Sequence, residues 1–198
     1  MITLFEKEIE FKNILLEEEY NKIRASHFND ETPLILDNYY IDNDKLTLIN
    51  SHLMLRIRTQ DHNQVMTLKV PESAHTVLEY SGHVNFNLLD DSPLNQDDIP
   101  ANIKDKLEAL NISLEGLRIQ GNLRTERLEK PYRSGLLVLD KADYLGQTDY
   151  ELEFEAPDTA SGQADITHIL NKYGIVRREE SVKSARFYEV LKRQKEGI

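Results

Sequence analysis

An α+β fold organised on an antiparallel sheet of about eight strands, curled into a barrel with its charges inward, is the fold class this sequence predicts. Three observations carry it. Strand-like runs follow one another at short spacing and are joined mostly by turns, which favours antiparallel pairing over parallel βαβ units. Helical periodicity is confined to a few stretches between the runs and at the end of the chain. Several strands also set one apolar face against one face of fixed charge, with the sign segregated strand by strand. Glu8-x-Glu10-x-Lys12 and Glu151-x-Glu153-x-Glu155 supply acids; Arg56-x-Arg58 and Lys69 supply bases. The plain alternative is half-buried strands whose charges face water, and a barrel carrying an apolar ligand would require it. A solvated face, however, has no reason to segregate sign. Charges placed inside must be paired or bind ions, and eight strands enclose room for side chains or one small ligand.

The elements follow in chain order. A strand is expected from Thr3 to Lys12, with Ile9 and Phe11 on the core face and Glu8, Glu10 and Lys12 on the other. Leu15, Leu16, Tyr20 and Ile23 recur at helical spacing behind Glu17-Glu18-Glu19, acids that suit a helix start. Asp30 to Pro33 breaks that helix, and Leu34–Asp42 reads as a strand. Ser51–Thr59 alternates Leu53, Leu55 and Ile57 with Met54, Arg56 and Arg58. Asp61-His62-Asn63-Gln64 looks like a hairpin connection into Val65–Val70, where Thr67 and Lys69 lie opposite Leu68 and Val70. Thr76–Leu88 is a further strand carrying Glu79. Asp97-Asp98-Ile99-Pro100 opens a helix with Ile103, Leu107 and Leu110 as its stripe. Arg118–Glu129 reads as strand ended by Pro131, Leu136–Tyr144 as the next, and Asp149–Ala156 follows the Gly146 turn. Ile166, Ile169, Leu170 and Tyr173 mark a helix stopped by Gly174, and Val182–Lys195 a final one.

Composition narrows the function classes. The 198 residues suit one domain, 1–198, with no linker or repeat. A net charge of −11 argues against non-specific binding to nucleic acid or anionic lipid, while 24 Lys and Arg leave room for a local basic cavity. With no cysteine there is no disulfide, thiolate metal site or cysteine nucleophile. No apolar run approaches the ~20 residues of a membrane span and no signal-peptide pattern is seen, so the cytoplasm is the expected compartment. His27, His52, His62, His75, His83 and His168 offer no i, i+4 zinc pair, and neither a P-loop nor a Rossmann motif occurs. Acid clusters from two or three strands suit Mg²⁺ or Mn²⁺, and Arg and Lys facing them suit a phosphate chain.

The ordered set (E-x-E-x-K strand, R-x-R strand, lone Lys, late Asp, C-terminal E-x-E strand) resembles the CYTH family, also called triphosphate tunnel metalloenzymes, from Glu8 to about Arg186. Asn38-Tyr39-Tyr40-Ile41-Asp42 and Ala185-Arg186-Phe187-Tyr188 are similar to its bacterial YjbK-like branch, described as triphosphatases. The resemblance implies an eight-stranded antiparallel tunnel, flanked by helices and closed by a C-terminal helix, that binds a triphosphate with Mg²⁺ or Mn²⁺, two ions in all. It implies hydrolysis of inorganic triphosphate or of an organic triphosphate such as thiamine triphosphate or a nucleotide. Cyclisation of ATP and non-catalytic sensing of a polyphosphate are the alternatives. Metal ligands are expected at Glu8, Glu10, Asp140, Glu151 and Glu153, with Glu155 on the same face equally eligible. Substrate contacts are expected at Lys12, Arg56, Arg58, Lys69, Glu79, Arg127, Lys183 and Arg186. Glu8, Glu10, Lys12, Arg56 and Arg58 are the expected catalytic set. Arg127 is preferred to Arg124 as the inward base because it shares a face with Thr125. Tyr39 and Tyr40 are candidates for the organic end of a substrate. The partner is a small-molecule triphosphate, with no nucleic acid or membrane, and the protein a monomer or homodimer.

Overall fold

Alternation of apolar and charged side chains decides which way each strand faces, and eight such strands close on themselves. The computed structural model describes residues 5–89 and 92–197, so Thr3 lies outside the described residues. The strands are β1 (Glu6–Leu15), β2 (Leu34–Asp42), β3 (Met54–Gln60), β4 (Asn63–Pro71), β5 (Thr76–His83), β6 (Arg118–Tyr132), β7 (Gly135–Tyr144) and β8 (Gln147–Glu155). They form a closed barrel in the order β1-β5-β4-β3-β2-β6-β7-β8, antiparallel at every seam. β1 is shared between two partners: Glu6–Ile9 pair with β5, Glu10–Leu15 with β8. Among the described residues the α-helices are α1 (Glu17–His27), α2 (Thr47–Asn50), α3 (Ala101–Ala109), α4 (Thr159–Tyr173) and α5 (Lys183–Glu196), with one 3₁₀ turn at Gln96–Asp98. None of them is long and apolar enough to cross a membrane.

The apolar strand faces point outward and are covered. Phe11, Leu128, Leu139, Leu152 and Phe154 pack beneath Tyr20 and Ile23 of α1 and Ile166, Ile169 and Leu170 of α4. Leu55, Ile57, Met66 and Leu68 pack beneath Ile103 and Leu107 of α3. A third cluster lies inside the barrel at one end. There Tyr40, Leu123, Ala142 and Tyr144 receive Phe187, Tyr188 and Leu191 of α5, so the C-terminal helix closes that end. Phe187 sits so close to Gly121 that a Cβ there would lie 2.8 Å from the ring.

Local chemistry sets the element boundaries. α4 starts at Asp158, whose carboxylate accepts from Ser161 N at 2.8 Å, and stops at Gly174 with φ 67°. Asp61 and His62 both have positive φ, making a two-residue hairpin turn; Asn63 and Gln64, expected in the connection, belong to β4.

Several expected boundaries move. Leu15 belongs to β1 and Leu16 precedes α1, because β1 keeps pairing with β8 as far as Leu15. β5 ends at His83 rather than Leu88: beyond it Gln64 clasps Phe86 through both its N–H and C=O, which draws the chain off the ladder. β6 runs through Pro131 to Tyr132. Its β2 partner stops at Arg127, so Pro131 sits where only β7 pairs and its missing N–H is not needed on the other side. α3 begins at Ala101, with Pro100 before it and Leu110 already past its end. α2 was not expected. It is one turn held by buried Asp42, which accepts from Leu48 N and Ile49 N at 3.0 Å each.

Gly162 presses α4 against the barrel, and a Cβ there would collide with the Phe11 ring and lie 2.7 Å from Ala156 Cβ. Gly162→Ala should therefore lower stability by about 1–3 kcal/mol in urea unfolding, although Ala is the better helix former by about 1 kcal/mol. A more stable variant would show that this helix has room to move.

Candidate functional site

Because the apolar faces are turned outward, the charged faces line the interior. A cavity of about 540 Å³ runs through it. Glu8, Glu10, Lys12, Arg56, Arg58, Lys69, Glu79, Arg127, Asp140, Glu153, Glu155 and Lys183 all line this cavity. Glu151 and Arg186 lie beside it towards α5, bonded to one another at 3.0 Å. The structure therefore brings the whole candidate set together, on seven strands and one helix. Thr125 and Arg127 face the cavity together, as their shared face implies.

The acids fall into two groups. Asp140, Glu151 and Glu153 are buried, and one carboxylate oxygen from each lies within 4.8 Å of the others. Lys183 pairs with all three, at 2.8 Å to Asp140 and 2.6 Å to Glu153. Arg127 forks onto Asp140 at 2.9 and 2.7 Å and reaches Glu153 at 2.8 Å; Lys12 bridges Glu153 at 3.1 Å and Glu10 at 2.7 Å. Burial opposes ionisation of Glu153, but Lys12, Lys183 and Arg127 hold it well below the usual carboxylate range. Burial wins at Glu151, whose carboxyl is raised. Glu155 stands apart, opposite Glu10 in the β1–β8 ladder. The second group is Glu8 and Glu79, which share Lys69. Burial lifts Glu8 to about 7, aided by Glu79, whereas Lys69 and Arg56 overcome burial to draw Glu79 down to about 2.

Arg56 and Arg58 behave differently. Among the described residues neither has a carboxylate within ion-pair distance, and Arg56 Nε is buried with no hydrogen-bond partner. Arg58 Nε donates to Asn38 Oδ1 at 2.9 Å, and burial with Arg56 and Arg127 nearby lowers its guanidinium to about 9. Two crowded, half-satisfied guanidinium groups facing a cavity form a site for an anion.

Some contributors were not legible beforehand. Asn38 orients Arg58, and the period-two face Asn38–Tyr40 was its only signal. Tyr40 is buried against Phe187 with ring centroids 4.9 Å apart, and Tyr39 faces outward into the cluster beneath α3, so the pair does not act together. The segment 174–182 left no periodic trace at all. It crosses β1 past Thr76, where β5 begins, and supplies β1's missing partners with side chains. Arg177 donates to Lys12 O at 2.8 Å, Glu180 accepts from Lys12 N at 3.4 Å, and Arg178 donates to Ile14 O at 2.9 Å. Asn13 completes the join through Val176 O and Arg178 N. This strap fixes the backbone of Lys12 and delivers Lys183 to the acids.

Comparisons with known proteins agree with this geometry. Residues 6–188 match the CYTH domain. The chain is 35% identical over 196 residues to the Bacillus subtilis (strain 168) protein named "Putative triphosphatase YjbK", covering 93% of this chain and 95% of that one. Among solved structures, a Bacillus halodurans protein described as a "putative adenylate cyclase" superposes with a TM-score of 0.81 at 27% identity, over 94% of this chain and all of that one. A Hippeastrum protein, HpAC1, described as an adenylyl cyclase with a dominant triphosphatase activity, shares the fold at 17% identity and a TM-score of 0.69, over 92% of this chain and 95% of that one.

Removing the Arg178 side chain should leave Ile14 O with Asn13 alone and Glu19 with Leu16 N alone, and loosen the strap. Arg178→Ala is expected to cost about 1–3 kcal/mol in urea unfolding and to open the 174–182 segment to limited proteolysis. Unchanged stability and an unchanged cleavage pattern would mean the strap is held elsewhere.

Proposed function

The chain belongs to the CYTH family, and from that premise we propose that it binds a triphosphate inside the barrel and hydrolyses it with the help of a divalent cation. The observation that carries the reading is the pair Arg56 and Arg58, which among the described residues have no carboxylate partner, in a cavity where Lys12, Lys69, Arg127 and Lys183 are each paired with acids. A phosphate chain is the ligand that fits them. Its negative charge would also offset the burial, and the repulsion from Arg56 and Arg127, that lower Arg58.

The donor set fits a hard divalent ion. Asp140, Glu151 and Glu153 present clustered carboxylate oxygens, and Glu8 and Glu10 present two more from one face of β1. These residues would hold Mg²⁺ or Mn²⁺, which there supplies Lewis-acid neutralisation of phosphate oxygens and makes water more acidic. The remaining work falls to the chain itself. Arg56 and Arg58 bind and orient phosphate. Lys12, Lys69, Arg127 and Lys183 exchange carboxylate partners for phosphate oxygens and stabilise charge on the leaving group. The carboxylates of Glu8 and Glu10 orient the attacking water, and α5 closes one end of the barrel with Phe187, Tyr188 and Leu191. Interior acids and bases are equal in number: Glu8, Glu10, Glu79, Asp140, Glu151, Glu153 and Glu155 against Lys12, Arg56, Arg58, Lys69, Arg127, Lys183 and Arg186. With two divalent ions a triphosphate carries a charge near zero, and such a complex would enter without unbalancing the barrel.

Phosphate release from inorganic triphosphate, thiamine triphosphate and ATP, each with Mg²⁺ and with Mn²⁺, tests this. Turnover is expected in at least one case, abolished by a chelator and reduced about 10²–10³-fold in Arg56→Ala and in Glu153→Gln. Cyclic AMP with pyrophosphate from ATP would replace hydrolysis by cyclisation. Binding without turnover of any of them would make the protein a sensor.

A further inference from the structure

Two arginines of the interior are gripped at the same atom by different acceptors. Arg127 Nε donates to Asp140 Oδ1 at 2.9 Å, and Arg58 Nε donates to Asn38 Oδ1 at 2.9 Å. The donor atom and the distance are the same; the charge of the acceptor is not. Asp140 neutralises the guanidinium that it holds, and takes a second bond from Arg127 Nη2 at 2.7 Å. Asn38 fixes its guanidinium and leaves the charge uncompensated, because an amide oxygen accepts without carrying an ionic charge. The surroundings of Asn38 suit only this orientation. The residue is 2% exposed and lines the cavity. Its Nδ2 donates to Leu123 O at 3.2 Å and to Leu36 O at 3.4 Å, with Thr125 Oγ1 at 3.5 Å. Backbone carbonyls only accept, so the amide nitrogen must face them and the oxygen must face Arg58. An aspartate would have no proton for those carbonyls and would pair with Arg58 as Asp140 pairs with Arg127.

An arginine free to swing loses rotamer freedom when it takes up a phosphate, whereas one already held through Nε presents its two Nη groups at less cost. We infer that Asn38 is the positioning residue that sets the anion affinity of the barrel: it holds the Arg58 fork by Nε, keeps its charge uncompensated and leaves its Nη edge for phosphate oxygens. The assignment rests on the triphosphate reading above and deepens it. It names what keeps Arg58 available to an anion while Lys12, Lys69, Arg127 and Lys183 are held by acids. It also fixes an order among substitutions. Aspartate, the closest in shape, is the more damaging replacement for binding, and alanine, the larger loss of side chain, is the milder one. A merely structural role would reverse that order.

Calorimetric titration reads affinity without turnover, using inorganic triphosphate in EDTA and diimidotriphosphate in Mg²⁺, with each variant first shown to be folded by its unfolding transition. Asn38→Ala should bind about 3–5-fold more weakly than wild type, and Asn38→Asp about tenfold or more. In an Arg58→Ala background, itself weakened, adding Asn38→Ala should change affinity by less than about twofold, because Asn38 acts through Arg58. A spectroscopic readout needs no change at Asn38: the Arg58 Nε–H resonance in ¹H–¹⁵N spectra, assigned by its loss in Arg58→Lys. It should persist when the ligand binds, since the phosphates take the Nη groups, and it decides the matter alone should neither Asn38 variant fold. Asn38→Asp binding as tightly as Asn38→Ala, additive losses in the double variant, or disappearance of the Nε–H signal on binding would overturn the positioning role and leave the triphosphate reading intact. No binding of either ligand by folded wild-type protein would overturn the triphosphate reading, and the role of Asn38 with it.

Discussion

The charge balance inside the barrel is the constraint on which the other features depend. An unpaired ion in that interior is destabilising by several kcal/mol, and removing one partner of a buried pair costs about 3–5 kcal/mol. Among the described residues every inward acid of β1, β7 and β8 except Glu155 meets a base at ion-pair distance. Lys12 comes from the same strand as Glu10, Arg127 from β6, Lys183 and Arg186 from α5. Closing the barrel end and neutralising its acids are one event, because the helix that buries Phe187 and Leu191 also carries the two bases. Apolar packing and ion pairing draw α5 to the same seat.

That arrangement also supports the proposed reaction on a triphosphate. Acids and bases that satisfy one another are each one step from exchanging partners, acids for a cation and bases for phosphate. The pairs keep the charged groups in place while no ligand is bound, so little reorganisation is needed when one arrives. Arg56 and Arg58 break the symmetry. Without carboxylate partners they favour the arrival of an anion, and Asn38 holds the fork of Arg58 in position. The strap over β1 serves the same end at longer range. By taking over the backbone partners of Lys12 it stiffens the strand that carries Glu8, Glu10 and Lys12 where β5 no longer supports it.

Much of this was legible in the residues because strand alternation is local. Leu53, Leu55 and Ile57 against Arg56 and Arg58 state the two faces of β3 without any knowledge of its neighbours. Segregated sign implied an enclosed interior, and the choice of Arg127 over Arg124 followed from Thr125. Boundaries were less legible. Leu15 satisfies a helical stripe and a strand face equally well, and only the β8 ladder decides between them. Pro131 ends a central strand but is tolerated on an edge, and whether β6 is an edge there depends on where β2 stops. α2 is too short to show a period, and the strap has none, since its bonds run from side chains to a backbone more than a hundred and sixty positions earlier.

By itself the sequence determined which residues of β1, β3, β4 and β8 share a charged face, and its sign, since both follow from residues two positions apart. Tertiary structure alone decided which charges meet. Glu151 and Glu153, and not Glu155, gather with Asp140 because the β7–β8 register and the seat of Lys183 place them there. Arg56 and Arg58 are left over because the acids within reach are already taken by bases from β1, β4, β6 and α5. Electrostatic pairing depends on separations of a few ångströms, and in this chain those separations are set by the closure of the barrel rather than by neighbours along the chain.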